Sequence, residues 1–193
     1  MKNLASYAAF PLVFALLLLS GCGGTSRIGM SNALPSDTQL RLNTAEEYEA
    51  GFEFSGHPEG NEVSVETSTA SAVYDLNGTL EGRLTQLVRS KFGSTTPSSD
   101  NEIKVSVDEI EVENDKKAFS NVGAHQVSVE VGVEIVREGE TFTRTIGRSA
   151  QIDAEQTGDI IPQTEVDKRQ LNEFIMQFVI GVDSFIDSNF GVE

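Results

Sequence analysis

VSVEVGVEI, residues 127–135, places Val127, Val129, Val131, Val133 and Ile135 on one parity and Ser128, Glu130, Gly132 and Glu134 on the other. Successive side chains of a strand point to opposite faces. The stretch is therefore a strand with one dry side and one wet side. Sheets covered on one face only are an antiparallel habit. Upstream, Ile103, Val105 and Val107 alternate in the same way, and Ile110 and Val112 continue one residue out of register. A β-bulge near Asp108-Glu109 produces such a slip. Downstream, Gly139 in REGE, residues 137–140, suits a tight hairpin turn. Residues 141–152 then return with Phe142, Ile146, Ala150 and Ile152 on the core parity. Arg144 and Arg148 share that parity. They suit a sheet edge, with stems packed and heads in water, or pairing with acids of the last helix.

Two stretches carry the helical period. Residues 73–92 present Leu76, Leu80, Leu84, Leu87, Val88 and Phe92, and Gly93 closes them. Gly78 and Gly82 lie four apart there, for packing on the protein's own sheet or for close approach to a partner. Residues 165–187 present Leu171, Phe174, Ile175, Phe178, Val179, Val182, Phe185 and Ile186 as one apolar stripe, with Phe190 beyond the helix end. Residues 62–67 and 38–42 read as short strands, 46–57 as irregular chain, and 94–101 and 153–164 as loops. The order of the main elements is strand, helix, three strands, helix. The expected fold is α+β: a two-layer sandwich of a mostly antiparallel sheet with two helices on one face, β-α-β-β-β-α. Its first strand–helix–strand unit would cross right-handedly.

The N-terminus has its own logic. Lys2 precedes an apolar run, residues 4–19, and the only cysteine of the chain closes Leu19-Ser20-Gly21-Cys22. The run is short of the ~20 residues that span a bilayer and suits a signal segment that is removed. Leu19-Ser20-Gly21-Cys22 resembles the lipobox of bacterial lipoproteins. The resemblance implies that residues 1–21 are a signal peptide and that Cys22 becomes the lipidated first residue, with acyl chains in the membrane. Several acyl chains together make release slow. Gly23, in place of an aspartate, resembles the enteric-type pattern of export to the outer membrane. Residues 22–37, rich in Gly, Ser, Asn and Pro, read as a flexible tether. Residues 38–193 read as one periplasm-facing domain.

The formal net charge is −16 over 193 residues, and the removed segment carries Lys2 and no acid. Such a surface lacks the basic footprint of nucleic-acid binding, and it is repelled by anionic lipid. With Cys22 acylated, no thiol remains for a disulfide or a cysteine-ligated zinc site. No Gly-rich phosphate loop occurs, and no cofactor or metal is expected. His57 and His125, the only histidines, fall in expected loops, and no catalytic triad can be assembled around them. Asn77-Gly78-Thr79 has the form of a glycosylation sequon and reads as coincidence within a helix. Glu109, Glu111, Glu113, Glu130 and Glu134 share the wet face with Thr141, Thr143 and Thr145. Paired carboxylates serve glycoside hydrolysis or calcium binding, but a solvated acidic face is the plainer reading. The face is then a candidate contact surface for a cationic partner in the envelope.

With these residues placed, the chain from residue 62 to 187, together with the lipobox, resembles the YajG-type family of bacterial lipoproteins. The resemblance rests on the helix through residues 76–92, the strands IKVSVDEIEVE (103–113) and VSVEVGVEIV (127–136), Phe142-Thr143-Arg144-Thr145-Ile146, and the closing helix at Leu171-Asn172. It implies a small lipoprotein with no assigned catalytic activity, so no site residues follow from it. The same plan resembles auxiliary lipoproteins of lipid-transport systems, including the lipopolysaccharide-assembly lipoprotein and the ABC-transport auxiliary component. The expected function is non-enzymatic: a lipid-anchored outer-membrane protein that contributes to envelope organisation or assembly through protein or lipid contacts. The rivals are an auxiliary subunit of a lipid or lipopolysaccharide transporter and a hydrolase of peptidoglycan or glycans.

Overall fold

The computed structural model describes residues 25–34, 48–58, 62–66, 71–93, 100–115, 124–153 and 163–191. In chain order the elements are β1 (Thr25–Ile28), β2 (Gly51–Ser55), β3 (Glu62–Glu66), β4 (Ser71–Asp75), α1 (Leu76–Phe92), β5 (Glu102–Asp115), β6 (Ala124–Arg137), β7 (Glu140–Asp153) and α2 (Gln163–Phe190). The apolar run of residues 4–19, Cys22 and the expected strand at 38–42 lie outside the described residues. So does most of the two expected loops, 94–101 and 153–164. Among the described residues no helix is long and apolar enough to cross a membrane.

The large sheet has the order β2-β5-β6-β7. β5, β6 and β7 form an antiparallel meander. Its register shifts between Val107 and Glu109, so Asp108 is the extra residue of the expected bulge. Glu138 and Gly139 both take positive φ, 52° and 86°, as a two-residue hairpin that matches the strand twist requires. Val127, Val129, Val131, Val133 and Ile135 are all buried, as are Ile103, Val105 and Val107. Both helices pack into the same core. α2 lies along β6 and β7, and α1 lies beside α2 and β2. The two helices run the same way, since Arg83 in mid-α1 meets Asn172 and, further along both, Phe92 meets Phe190 at their ends. The fold is α+β, two helices on a four-stranded mixed sheet.

Several elements differ from expectation. β2, expected as irregular chain, pairs parallel to β5 with Phe52 opposite Ile103 and Phe54 opposite Val105. It is five residues long, and its alternation spans only those two aromatics, too few for a clear period. α1 begins at Leu76 rather than residue 73. Val73 and Tyr74 belong to β4, which forms a hairpin with β3. Asp75 then caps α1, its carboxylate accepting from the Gly78 N–H at 2.8 Å. β3, β4 and β1 make a second, three-stranded sheet of order β1-β4-β3. The parallel neighbour reached across α1 is therefore β2 and not β3. α2 extends to Phe190, which lies inside the helix, 3% exposed, edge-on to Phe92 and Tyr48.

The tether and the domain boundary at residue 38 also need correction. β1 pairs parallel to β4 from Thr25 to Ile28, and residues 30–34 lie on α1. The Gly82 backbone approaches this segment: a Cβ there would stand 2.7 Å from the Asn32 Cβ. The close approach expected of Gly82 is thus made to the chain's own N-terminal segment, while Gly78 clears space for the Asp75 cap. Small polar residues read as linker by composition, but backbone pairing and a glycine-cleared helix face hold them on the domain.

Among the described residues, two buried cations lie between the helices. The Lys91 ammonium, fully buried, pairs with Asp183 at 2.8 Å and with Asp187. Arg83, 1% exposed, donates to the Ser31 carbonyl and to Asn172. Burial pushes the Asp183 carboxyl above its ordinary value, against the opposing pull of Lys91. Burial likewise lowers the Arg83 guanidinium.

Candidate functional site

The register brings the predicted acids onto one surface. Glu109 stands opposite Glu130, Glu111 opposite Ser128 and Glu113 opposite Gln126. On the other side of β6, Thr143 stands opposite Glu134, Thr145 opposite Gly132 and Gly147 opposite Glu130. Thr141 shares that parity, opposite Val136. Glu109, Glu111, Glu113 and Glu130 are exposed, and Glu134 is half-buried.

Glu109 and Glu130 are a like-charged pair directly across adjacent strands, which costs stability. Gly147 relieves the crowding. A Cβ there would stand 3.4 Å from the Glu130 carboxylate, so Glu130 leans over β7. Gly132 does the same for the bulge. The Ser106 hydroxyl donates to Asp108 at 2.7 Å, and both side chains lie where a Cβ on Gly132 would go.

The sequence reading missed four members of this face. Lys104, opposite Glu134, is a cation on the same surface. Its ammonium sits 2.9 Å from Glu102 and 3.5 Å from Glu134. Its pKa is raised, first by the hydrogen bond to Glu102 and then by that carboxylate's charge. Glu53, on β2, stands opposite Lys104, and Ser55 stands opposite Ser106. The parity of Lys104 was legible in IKVSV; Glu53 and Ser55 were not, because β2 itself was not. Asp108 was legible only as a bulge, since a bulged residue has no cross-strand partner to assign its face.

Small side chains leave a shallow depression of about 480 Å³ in this face, lined by Glu53, Ser55, Lys104, Ser106, Gly132 and Thr145 among others. It is open to solvent, with carboxylates at its rim. A glycosidase acid needs a desolvated carboxyl facing a second one across a cleft. The five predicted glutamates stand instead on an open sheet surface. What such a surface does well is steer a cationic partner by long-range attraction.

Arg144 and Arg148 lie on the edge strand β7, both exposed. The Arg144 guanidinium sits 5.8 Å from the Phe185 ring centre, so it packs on α2 through an aromatic face rather than an acid. Arg148 donates to its neighbour's carbonyl at Gly147. His125 lies in β6, opposite Asn114 and Ile152, and not in a loop: the alternation of β6 extends past the apolar stretch that marked it. His57 lies just beyond β2, in irregular chain as expected. Asn77 and Thr79 of the sequon are 4% and 1% exposed, which closes the site to a bulky glycan.

No family model and no curated protein matches the chain. Among solved structures it is similar to the protein XCC0632 from Xanthomonas campestris, of the DUF330 family, with a TM-score of 0.42 and 13% identity over 85% of this chain and 99% of that one. It is similar also to the hypothetical protein CT253 from Chlamydia trachomatis, with a TM-score of 0.43 and 10% identity over 72% of this chain and 98% of that one. A third similar structure is of an uncharacterised protein, with a TM-score of 0.42 and 14% identity over 84% of this chain and 97% of that one.

Proposed function

We propose that this chain is a non-enzymatic lipoprotein of the bacterial outer membrane. It is anchored through acyl chains on Cys22, faces the periplasm, and contributes to envelope organisation or assembly through protein contacts. One observation carries the reading: the only cysteine of the chain stands at position 22, directly after an apolar run too short to span a bilayer. The acidic face supports the second half. Glutamates on three strands of the large sheet, with Lys104 among them, form an open surface suited to a cationic protein partner. The kinship with YajG-type lipoproteins belongs to the same proposal.

Flotation tests the anchor. Wild-type protein should rise with membrane vesicles in a density gradient, and Cys22→Ser should remain in the soluble fraction with its fold intact. Flotation of Cys22→Ser equal to wild type would refute the anchor.

A further inference from the structure

The first segment of the domain is clamped to its body. β1 lies along β4, Thr25 opposite Ser71 and Ile28 opposite Tyr74. Beyond β1 the chain runs over α1. The Ser31 carbonyl accepts from Arg83 Nε at 3.1 Å and from Arg83 Nη2 at 3.0 Å. Gln86 accepts from the Leu34 N–H at 2.7 Å. Met30 and Leu34 pack against the core, and Asn32 covers Gly82. Arg83 is 1% exposed, so a charged, buried donor holds this backbone in place, and charge-assisted hydrogen bonds of that kind are the strong ones.

We propose that the domain rests directly on the surface of the bilayer that holds its acyl chains, with the end of the small sheet where β1 begins facing the lipid headgroups. The proposal rests on the acylation of Cys22 argued above. A fifteen-residue tether would reach about 50 Å, at roughly 3.3–3.6 Å per residue. Only three residue-to-residue steps, through Gly23 and Gly24, separate Cys22 from Thr25. Whatever their arrangement, they reach at most about 11 Å. That is little more than the headgroup layer, which accounts for about 5–7 Å on each side of the hydrocarbon core. Thr25, and with it Ser71 and Glu66 of the neighbouring strands, must therefore lie at the membrane surface.

The composition of the segment is compatible with that position. Between Cys22 and Asp37 the chain has no acid, and its one charge is Arg27, which is exposed. Elsewhere the chain is strongly acidic, and an anionic leaflet repels it. The short leash, rather than charge, holds the domain down. A partner of the acidic face must then come to the membrane surface to meet it, because the domain cannot extend across the periplasm.

A nitroxide at residue 71 reads the distance. Cys22 is the only native cysteine, so in acylated protein Ser71→Cys is the sole free thiol. The labelled lipoprotein is reconstituted in phosphatidylethanolamine–phosphatidylglycerol vesicles that contain a nickel-chelating headgroup lipid. Relaxation of the nitroxide by headgroup nickel should be strong. Inserting twenty Gly/Ser residues between Gly24 and Thr25 should reduce it several-fold, since such a linker spans about 25 Å on average. Gly82→Leu, which displaces Asn32 and loosens the clamp, should give an intermediate value. Intact mass and flotation of the same samples report acylation separately. In acylated, floating protein, relaxation that is weak or unchanged by the insertion overturns the short leash. Loss of acyl mass overturns the anchor, and the proposal with it.

Discussion

Truncating Phe178 to alanine should unfold this domain more than any change on its surface. Phe178 is 1% exposed, mid-way along α2, and its ring meets that of Phe174 edge-on at 5.2 Å between centres. Removing a buried phenylalanine costs about 3–5 kcal/mol, a transfer loss plus the cavity left behind. The lost edge-to-face contact, about 0.5–1.5 kcal/mol, places the expectation in the upper half of that range. With a urea slope of about 2 kcal/mol per molar, the midpoint should fall by about 2 M. The chain has no tryptophan, so helix ellipticity by circular dichroism is the natural probe. Ile180, on the same helix but 50% exposed, supplies the control, and Ile180→Ala should stay within about 0.5 kcal/mol of wild type. Equal midpoints for the two variants would mean that α2 does not bury its stripe against β6 and β7, and the core described above would be wrong.

Three further outcomes follow from particular contacts. The raised Asp183 carboxyl holds its proton more tightly in the folded state than in the unfolded one, so its contribution is most favourable below the ordinary aspartate value of about 3.9 and is lost as pH rises through the raised value. Stability of Asp183→Asn relative to wild type should therefore increase with pH across that window, as read by urea midpoints; a flat difference refutes the shift. Glu130→Lys turns the Glu109–Glu130 opposition into an attraction and should raise stability by up to about 1 kcal/mol in thermal melts; a loss would mean that the two strands are not in this register. Replacing Glu109, Glu111 and Glu113 together by glutamine should leave the melt almost unchanged, since exposed charges contribute little, yet lower the yield of partners crosslinked in cells at low salt. The same partners at the same yield would reduce the face to a solubility device.

The elements legible in the sequence were those long enough to show a period. β6 alternates over nine residues, and its partner β5 even displayed its bulge as a one-residue slip from Val107 to Ile110. β1, β2 and β4 are four or five residues each, too short for alternation to stand out. β4 was absorbed into α1 because Val73 lies three residues before Leu76, a helical spacing that arose by accident. Asp75 was the available signal, an N-cap residue just ahead of the apolar stripe. The burial of Arg83 and Lys91 was not legible, because nothing local announces that Asn172, Asp183 and Asp187 will meet them from another helix. The acidic face was legible as parity, but its lysine, its depression and its second strand depended on which strands pair. Composition misled most at residues 25–34, where Gly, Ser and Asn suggested a tether and long-range contacts built a clamp.

The central claim concerns Cys22, and intact mass of the protein purified from its native membrane tests it most directly. The account predicts a chain that begins at residue 22 and carries the added mass of a diacylglycerol and a third acyl chain. A mature chain that begins elsewhere, or that begins at residue 22 without acyl mass, would contradict it.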